Sequence, residues 1–433
     1  MQPEQPPIPH PHPGGPLAGY RVLDVADEKG QLCARVLGEL GADVIKVEPR
    51  DGDPTRQNGP FFKGEAGPDT SLYWWAMNAG KRSVTCELRL EAGREVFRRL
   101  IETADILVET WAPGFAQGAG LDYEALSALN PGLIHVSISN FGQSGPYSQF
   151  AATDIVGSAM GGHMHLNGDP QRGPVRTTAP QAYAQANFQG AVGAMVALYA
   201  RGVNDGIGQH VDVSMQEAMA NAMDNAQATW DIRHVNASGP GIRRGAWSQP
   251  GVGEGQLGAR YLFEASDGWV AALGLGGLAG AGANAIIDWM GESGDAGGLD
   301  SDEWRHRLTS MTPLTPDERA YVEDVLGRFC RKFPKEDLVA GAQARGAGWA
   351  PVFGPKDIVE SKQLAARDYW VRVLHEDLGE SFVYPGPPFR LLATPAAHRG
   401  RAPHIGEHSQ QVYCDLLGLD AAELRRLKMR MVV

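Results

Sequence analysis

Residues 20–49, YRVLDVADEKGQLCARVLGELGADVIKVEP, decide the fold class. The first eight form a short apolar run ending in acid, the pattern of a strand buried on both faces. GQLCARVLGELG follows, with Leu32, Val36, Leu37 and Leu40 at helical spacing and Gly41 placed to cap the helix C-terminus. ADVIKVEP is a second apolar run, stopped by proline. Strand, helix and strand in this order make a βαβ unit, and a right-handed crossover sets both strands parallel in one sheet.

Working outward, the pattern repeats. RSVTCEL (82–88), DILVET (105–110) and LIHVSISNF (133–141) read as further strands, and EAGREVFRRLIETA (91–104) and YEALSALN (123–130) as amphipathic helices. Ligands of such sheets bind outside the carboxyl ends of the strands. Those ends are Asp27-Glu28, Glu48-Pro49-Arg50, Thr110-Trp111 and Asn140-Phe141-Gly142.

A chain of 433 residues with net charge -12 argues against nucleic acid as a partner, because phosphate neutralisation needs clustered Lys and Arg. A small anionic ligand needs only a local basic pocket. Cys33, Cys86, Cys330 and Cys414 are far apart with no C-x-x-C pair, so they read as buried thiols in a reducing, cytoplasmic setting. The run TTAPQAYAQANFQGAVGAMVALYA (177–200) carries no charge, yet Gln181, Gln185, Asn187 and Gln189 interrupt it. Only residues 190–200 are continuously apolar, the length of a core helix and too short to span a bilayer. Residues 1–18 read as a flexible Pro-rich tail without a signal-peptide pattern.

After about Met223 the composition changes. Residues 238–259 are rich in Gly and Pro, a hairpin is expected around Ser266-Asp267-Gly268, and helices follow to about Gly346. The expected fold is α/β: a Rossmann-like large domain split in sequence around a small inserted α+β domain. The expected boundaries are 19–228 for the first part of the large domain and 229–255 for a linker and Gly-rich loop. Residues 256–346 form the small domain, and 347–433 form the return linker and the rest of the large one.

Several motifs in order resemble one family. VLDVADEKG, VLGELGADVIKVEPRDGDPTR, NAGKRSVTCEL, the stretch from DILVETWAPGFAQGAG to SNFGQSGPY, GIGQHVDVSMQEA and RAPHIGEHSQQVYCDLLGL together look like the family III CoA-transferases. These include formyl-CoA transferase, carnitine CoA-transferase and alpha-methylacyl-CoA racemase. The match runs from about Gly19 to Leu427. The resemblance implies an interlocked dimer that binds acyl-CoA and a carboxylic acid, with coenzyme A at the large domain and no metal. It implies CoA contacts from Arg50, Lys81, Arg82, Thr110, Trp111, Phe141 and Gly142.

The resemblance also makes a demand that this sequence does not meet. The family's transferases use an aspartate that becomes acylated and then carries CoA as a thioester, chemistry open only to a carboxylate. That aspartate lies ten residues before a glycine in the small-residue helix. With Gly193 as the glycine, the position is Tyr183, and no residue from 177 to 200 is acidic. The racemase's His-Asp pair is Thr153-Asp154 here, without the His. The QxGP turn after the first strand reads Asp27-Glu28-Lys29-Gly30, an arginine after PG falls near Gly118, and the usual Asn-Phe is Thr110-Trp111.

Three substitutes come into view. Asp154 matches a second active-site acid of the family, or N-caps the helix that begins there. Glu254 sits where relatives carry a Gly-rich loop over the acyl group, a place for a general base or simply an exposed glutamate. Asp27 and Glu28, neighbouring acids at a strand end, are the third option beside plain solvation. His163 and His165 lack a third metal ligand and read as packing or pocket lining, His135 as structural, and Trp74 and Trp75 as core. The expectation is an acyl-CoA-processing enzyme that does not use the usual aspartyl-CoA intermediate. The alternatives are a non-catalytic subunit pairing with an active paralogue, and an isomerase, dehydratase or lyase working by acid-base chemistry.

Overall fold

The computed structural model describes residues 14–169, 171–223, 226–243, 258–272, 282–310 and 314–433. They divide into two units. The first takes in the segments up to His163, Thr178–Ala222 and Lys362–Val433; the second takes in Met164–Thr177 and Met223–Ser361.

The first unit is built on six parallel strands: β1 (Arg21–Asp24), β2 (Asp43–Glu48), β3 (Arg82–Thr85), β4 (Ile106–Glu109), β5 (Ile134–Ser139) and β6 (His210–Ser214). Their order is β3-β2-β1-β4-β5-β6, so the direction of winding reverses between β1 and β4. All six residues of β5 are buried, as expected of a strand covered on both faces. His135 lies within it, buried as the alternation suggested.

The helices preceding the long one are α1 (Gln31–Glu39), α2 (Leu72–Asn78), α3 (Glu91–Ile101), α4 (Phe115–Ala119), α5 (Tyr123–Leu129), α6 (Asp154–Met160) and α7 (His163–Leu166). In α3, Glu91 opens the first turn and Arg98 and Arg99 close the last, which complements the helix dipole. Its Val96, Phe97, Leu100 and Ile101 join Leu23, Ile45 and Leu107 of the sheet, together with Val412, Tyr413 and Leu424 from the C-terminal segment, in one core.

The uncharged run becomes α8 (Gln181–Val203), which packs on α1, β5 and β6 and on α9 (Met215–Asn221). Its small residues explain the close approach. A Cβ at Gly190 would lie 2.8 Å from Ile138 Cδ1, and one at Gly193 would lie 2.6 Å from Val211 Cγ1. No helix of the described residues is long and apolar enough to cross a membrane.

A hairpin, β10 (Trp370–His375) with β11 (Glu380–Pro385), belongs to the first unit, where Val373 and Tyr384 pack with Trp74 and Trp75. Both tryptophans are core, as their sequence suggested.

The second unit pairs β7 (Leu262–Ala265), β8 (Gly268–Ala271) and β9 (Ala350–Pro351) in an antiparallel sheet. The hairpin turns at Ser266-Asp267, where the sequence suggested. Four helices between residues 282 and 344 pack Ile286, Ile287, Val325 and Phe329 against Phe263 and Val270. Two local details depart from the composition. Residues 229–233, assigned to a linker, complete a helix, Ala226–Arg233, because the Gly and Pro content begins only at Gly239. Residues 347–361 stay with the second unit, since Ala350–Pro351 pairs with β8.

Candidate active site

The sheet order reverses between β1 and β4, and sheets of this kind bind their ligands at the carboxyl ends of the strands beside such a reversal. The loop after β1 is pinned there. Asp27 donates its backbone N–H to Thr110 Oγ1 at 2.9 Å, which ties the ends of β1 and β4 together. Lys29 pairs with Asp27 and neutralises it. Glu28, half-buried between them, points elsewhere.

Glu28 meets the start of α8. The Tyr183 hydroxyl stands near enough to its carboxylate to feel that charge, and Asn58 Nδ2 donates to Oε2 at 3.2 Å. Asn187 staples the same corner. Its Nδ2 donates to the Tyr183 carbonyl (2.8 Å) and the Glu28 carbonyl (3.3 Å), while its Oδ1 accepts the Cys33 N–H (2.9 Å). Burial, reinforced by Glu28, pushes the Tyr183 phenol well above its ordinary value, so it stays protonated and remains a donor. Tyr73 is raised in the same way, by burial first and then by Glu28 and Asp27.

Asp154 does not cap its own helix. It is the first residue of α6, after an N-cap at Thr153, and its Oδ1 accepts the N–H groups of Ala182 (2.9 Å) and Tyr183 (3.2 Å). The expectation of a cap on α6 is thus corrected. The carboxylate caps α8, whose own N-cap position is Pro180, a residue without a side-chain acceptor. Its Oδ2 is buried with no hydrogen-bond partner among the described residues.

The basic residues do not gather as a trio. Lys81 is buried, donating to Asp24 Oδ2 (2.7 Å), the Gln31 carbonyl (2.8 Å) and Asn78 Oδ1 (2.8 Å). Burial pulls its amine down to about 8 against the pull of Asp24. Lys46 sits on the other side of Asp24 and pairs with Asp53 at 2.8 Å. Arg82 opens β3, and its guanidinium binds Asp43 at the amino end of β2, away from the carboxyl edge. Arg50 alone of the three is exposed, follows β2 directly and makes no ion pair among the described residues. Its position and free charge fit a phosphate group.

Trp111 packs beside Phe97 and Phe115. Phe141 is buried under an aromatic cluster with Tyr147 and Phe150. Gly142 adopts φ +87°, which turns the loop so that Gln143 N–H reaches Asp212 Oδ2 at 3.0 Å. Glu254 lies outside the described residues. His163 and His165 belong to α7, and among the described residues no group of three or more His, Cys, Asp or Glu could hold a metal ion. Asn58, Tyr73 and Asn187 escaped the sequence reading, although Asn187 left a trace as an amide inside an apolar run.

Comparison with known proteins places the chain. The pattern of CoA-transferase family III matches residues 17–409. Over 427 residues the chain is 34% identical to succinyl-CoA:(R)-benzylsuccinate CoA-transferase subunit BbsE of Thauera aromatica, covering 96% of this chain and 97% of that one. It is 30% identical to succinyl-CoA–D-citramalate CoA-transferase of Chloroflexus aurantiacus, covering 97% and 99% of the two chains. Its fold matches a CAIB/BAIF family protein from Brucella suis with a TM-score of 0.79 at 27% identity, over 93% of this chain and 100% of that one. The chain belongs to CoA-transferase family III.

Proposed function

We propose that this protein exchanges coenzyme A between an acyl-CoA and a carboxylic acid by a route that does not acylate an aspartate at the start of α8. One observation carries this reading: Tyr183 occupies the first turn of α8, and residues 177–200 contain no acid. A phenol cannot form the anhydride and thioester that a carboxylate forms. Arg50 supplies a charge without an ion pair among the described residues for a CoA phosphate, and the carboxyl ends of β1 and β4, where the sheet order reverses, supply the place. Asp154 acts as a positioning residue, holding the turn that carries Tyr183. The four free thiols fit a cytoplasmic setting.

A second reading makes the chain one subunit of a two-chain transferase, acting with a related chain that carries the nucleophile. Its similarity to a protein described as a subunit favours this. So does the outer face of α8, where Phe188, Val192, Val196, Tyr199 and Val203 stand exposed at helical spacing.

Calorimetry with free CoA, followed by incubation with succinyl-CoA and a panel of carboxylic acids, tests both readings. The first expects CoA binding and new CoA thioesters from the chain alone. The second expects binding but turnover only after co-expression with a related chain. Absence of CoA binding at millimolar concentration overturns both.

A further inference from the structure

The geometry points to Glu28 as the carboxylate that takes the acyl group in this chain, an acid moved across the site from α8 to the end of β1. The inference rests on the acyl-CoA reading above. Glu28 lies in the loop after β1, at the reversal point of the sheet, where sheets of this kind bind their ligands. Its backbone carbonyl accepts Asn187 Nδ2 at 3.3 Å, and the same amide donates to the Tyr183 carbonyl at 2.8 Å, so the loop carrying Glu28 is pinned to the turn where Tyr183 stands.

Among the acids of β1, β2 and the loops that follow them, the surrounding charges set Glu28 apart. Asp24 is engaged by Lys81 and Lys46, Glu48 by Arg56, Asp53 by Lys46 and Asp27 by Lys29. Glu28 makes no ion pair among the described residues. A carboxylate matched to a buried cation is stabilised as a bystander, whereas one held only by neutral donors keeps its lone pairs available. Asn58 is such a donor, and Asn187 fixes the Glu28 backbone.

The chemistry balances without a redox partner. A Glu28 carboxylate oxygen adds to the thioester carbonyl, the C–S bond breaks and CoA leaves as thiolate, giving a mixed anhydride on Glu28. The thiolate then attacks the Glu28 carbonyl, releasing the first acid as its carboxylate and leaving a glutamyl-CoA thioester. An incoming carboxylate repeats the two steps in reverse order. It first forms its own anhydride with Glu28, and the thiolate then attacks its acyl carbonyl to release a new acyl-CoA and free Glu28. Asn58 is a positioning residue in this scheme, holding the attacking group.

The test uses the full-length chain and succinyl-CoA, quenched with hydroxylamine and read by peptide mass spectrometry. A hydroxamate on the peptide bearing Glu28 is expected, with complete loss in Glu28→Gln. Asn58→Ala keeps the label on Glu28 and slows its appearance without changing the affinity for free CoA, since the attacking carboxylate loses the donor that orients it. Calorimetry with free CoA on the same samples separates the outcomes. CoA binding with the label on another carboxylate, or with no label, overturns the inference and leaves the proposed function standing. Failure to bind CoA overturns both. Glu28→Gln preserves shape, and the labelling of the unaltered protein decides the question even if that variant does not fold.

Discussion

At Gly30 there is room for a hydrogen and little else. A Cβ would come within 2.6 Å of Ala26 Cβ and 2.9 Å of Thr110 Cγ2, so the start of α1 sits hard against the loop that carries Glu28. Gly30→Ala is expected to destabilise by about 1–3 kcal/mol, as overpacking does, measured by urea unfolding. It should also weaken the Asp27–Thr110 bond that fixes the loop. Asp154→Ala removes the cap of α8 and should cost about 1 kcal/mol, read as a lowered unfolding midpoint with unchanged slope. Register against Gly193 was enough to find Tyr183 in the sequence. What surrounds Tyr183 was not legible there, because its nearness to Glu28 depends on how α8 lies over α1. The role of Asp154 was hidden for the same reason: a carboxylate beside one helix serves the start of another.

Among the elements, β1, β2 and α1 enclose the buried set Asp24, Lys46, Lys81 and Asp53. Strands and helices here were legible from periodicity, as was the hairpin of β7 and β8. The network was not, because a lysine in an apolar strand reveals its partner only once the neighbouring strands are in register. The network makes a pH prediction. Lys81 is depressed from 10.5 to about 8 in the folded chain, chiefly by burial. Below about 8 both folded and unfolded chains hold its proton; between about 8 and 10.5 mainly the unfolded chain does. The unfolded state then binds more protons, so this group makes stability rise with pH across that window and leaves it level below. Its contribution is at most about 1.4 kcal/mol per pH unit. Urea midpoints from pH 7 to 10, compared between the unaltered chain and Lys81→Met, should show that rise only where the lysine remains.

At the scale of the whole molecule, α8 has two characters. Its small residues meet the sheet, while Val196 and Tyr199 are 61% and 75% exposed on the outside. If a second chain covers that stripe, charges placed there must be desolvated on assembly, which costs several kcal/mol. Val192→Asp with Val196→Asp is therefore expected to weaken association at least about tenfold in light scattering or analytical ultracentrifugation, without lowering the stability of the single chain. An unchanged assembly would remove this face from consideration.

The first unit is also discontinuous along the chain. The edge next to β3 is finished by late residues: His408 N–H reaches the Ser83 carbonyl, the Tyr413 hydroxyl the Thr85 carbonyl, and Glu87 N–H the Val432 carbonyl. A ribosome must add some 300 residues after β3 before these groups exist, on the order of tens of seconds at ordinary rates of synthesis. Throughout that interval the nascent sheet carries an unfinished border, so the growing chain depends on its surroundings to keep that border from pairing with the wrong partner.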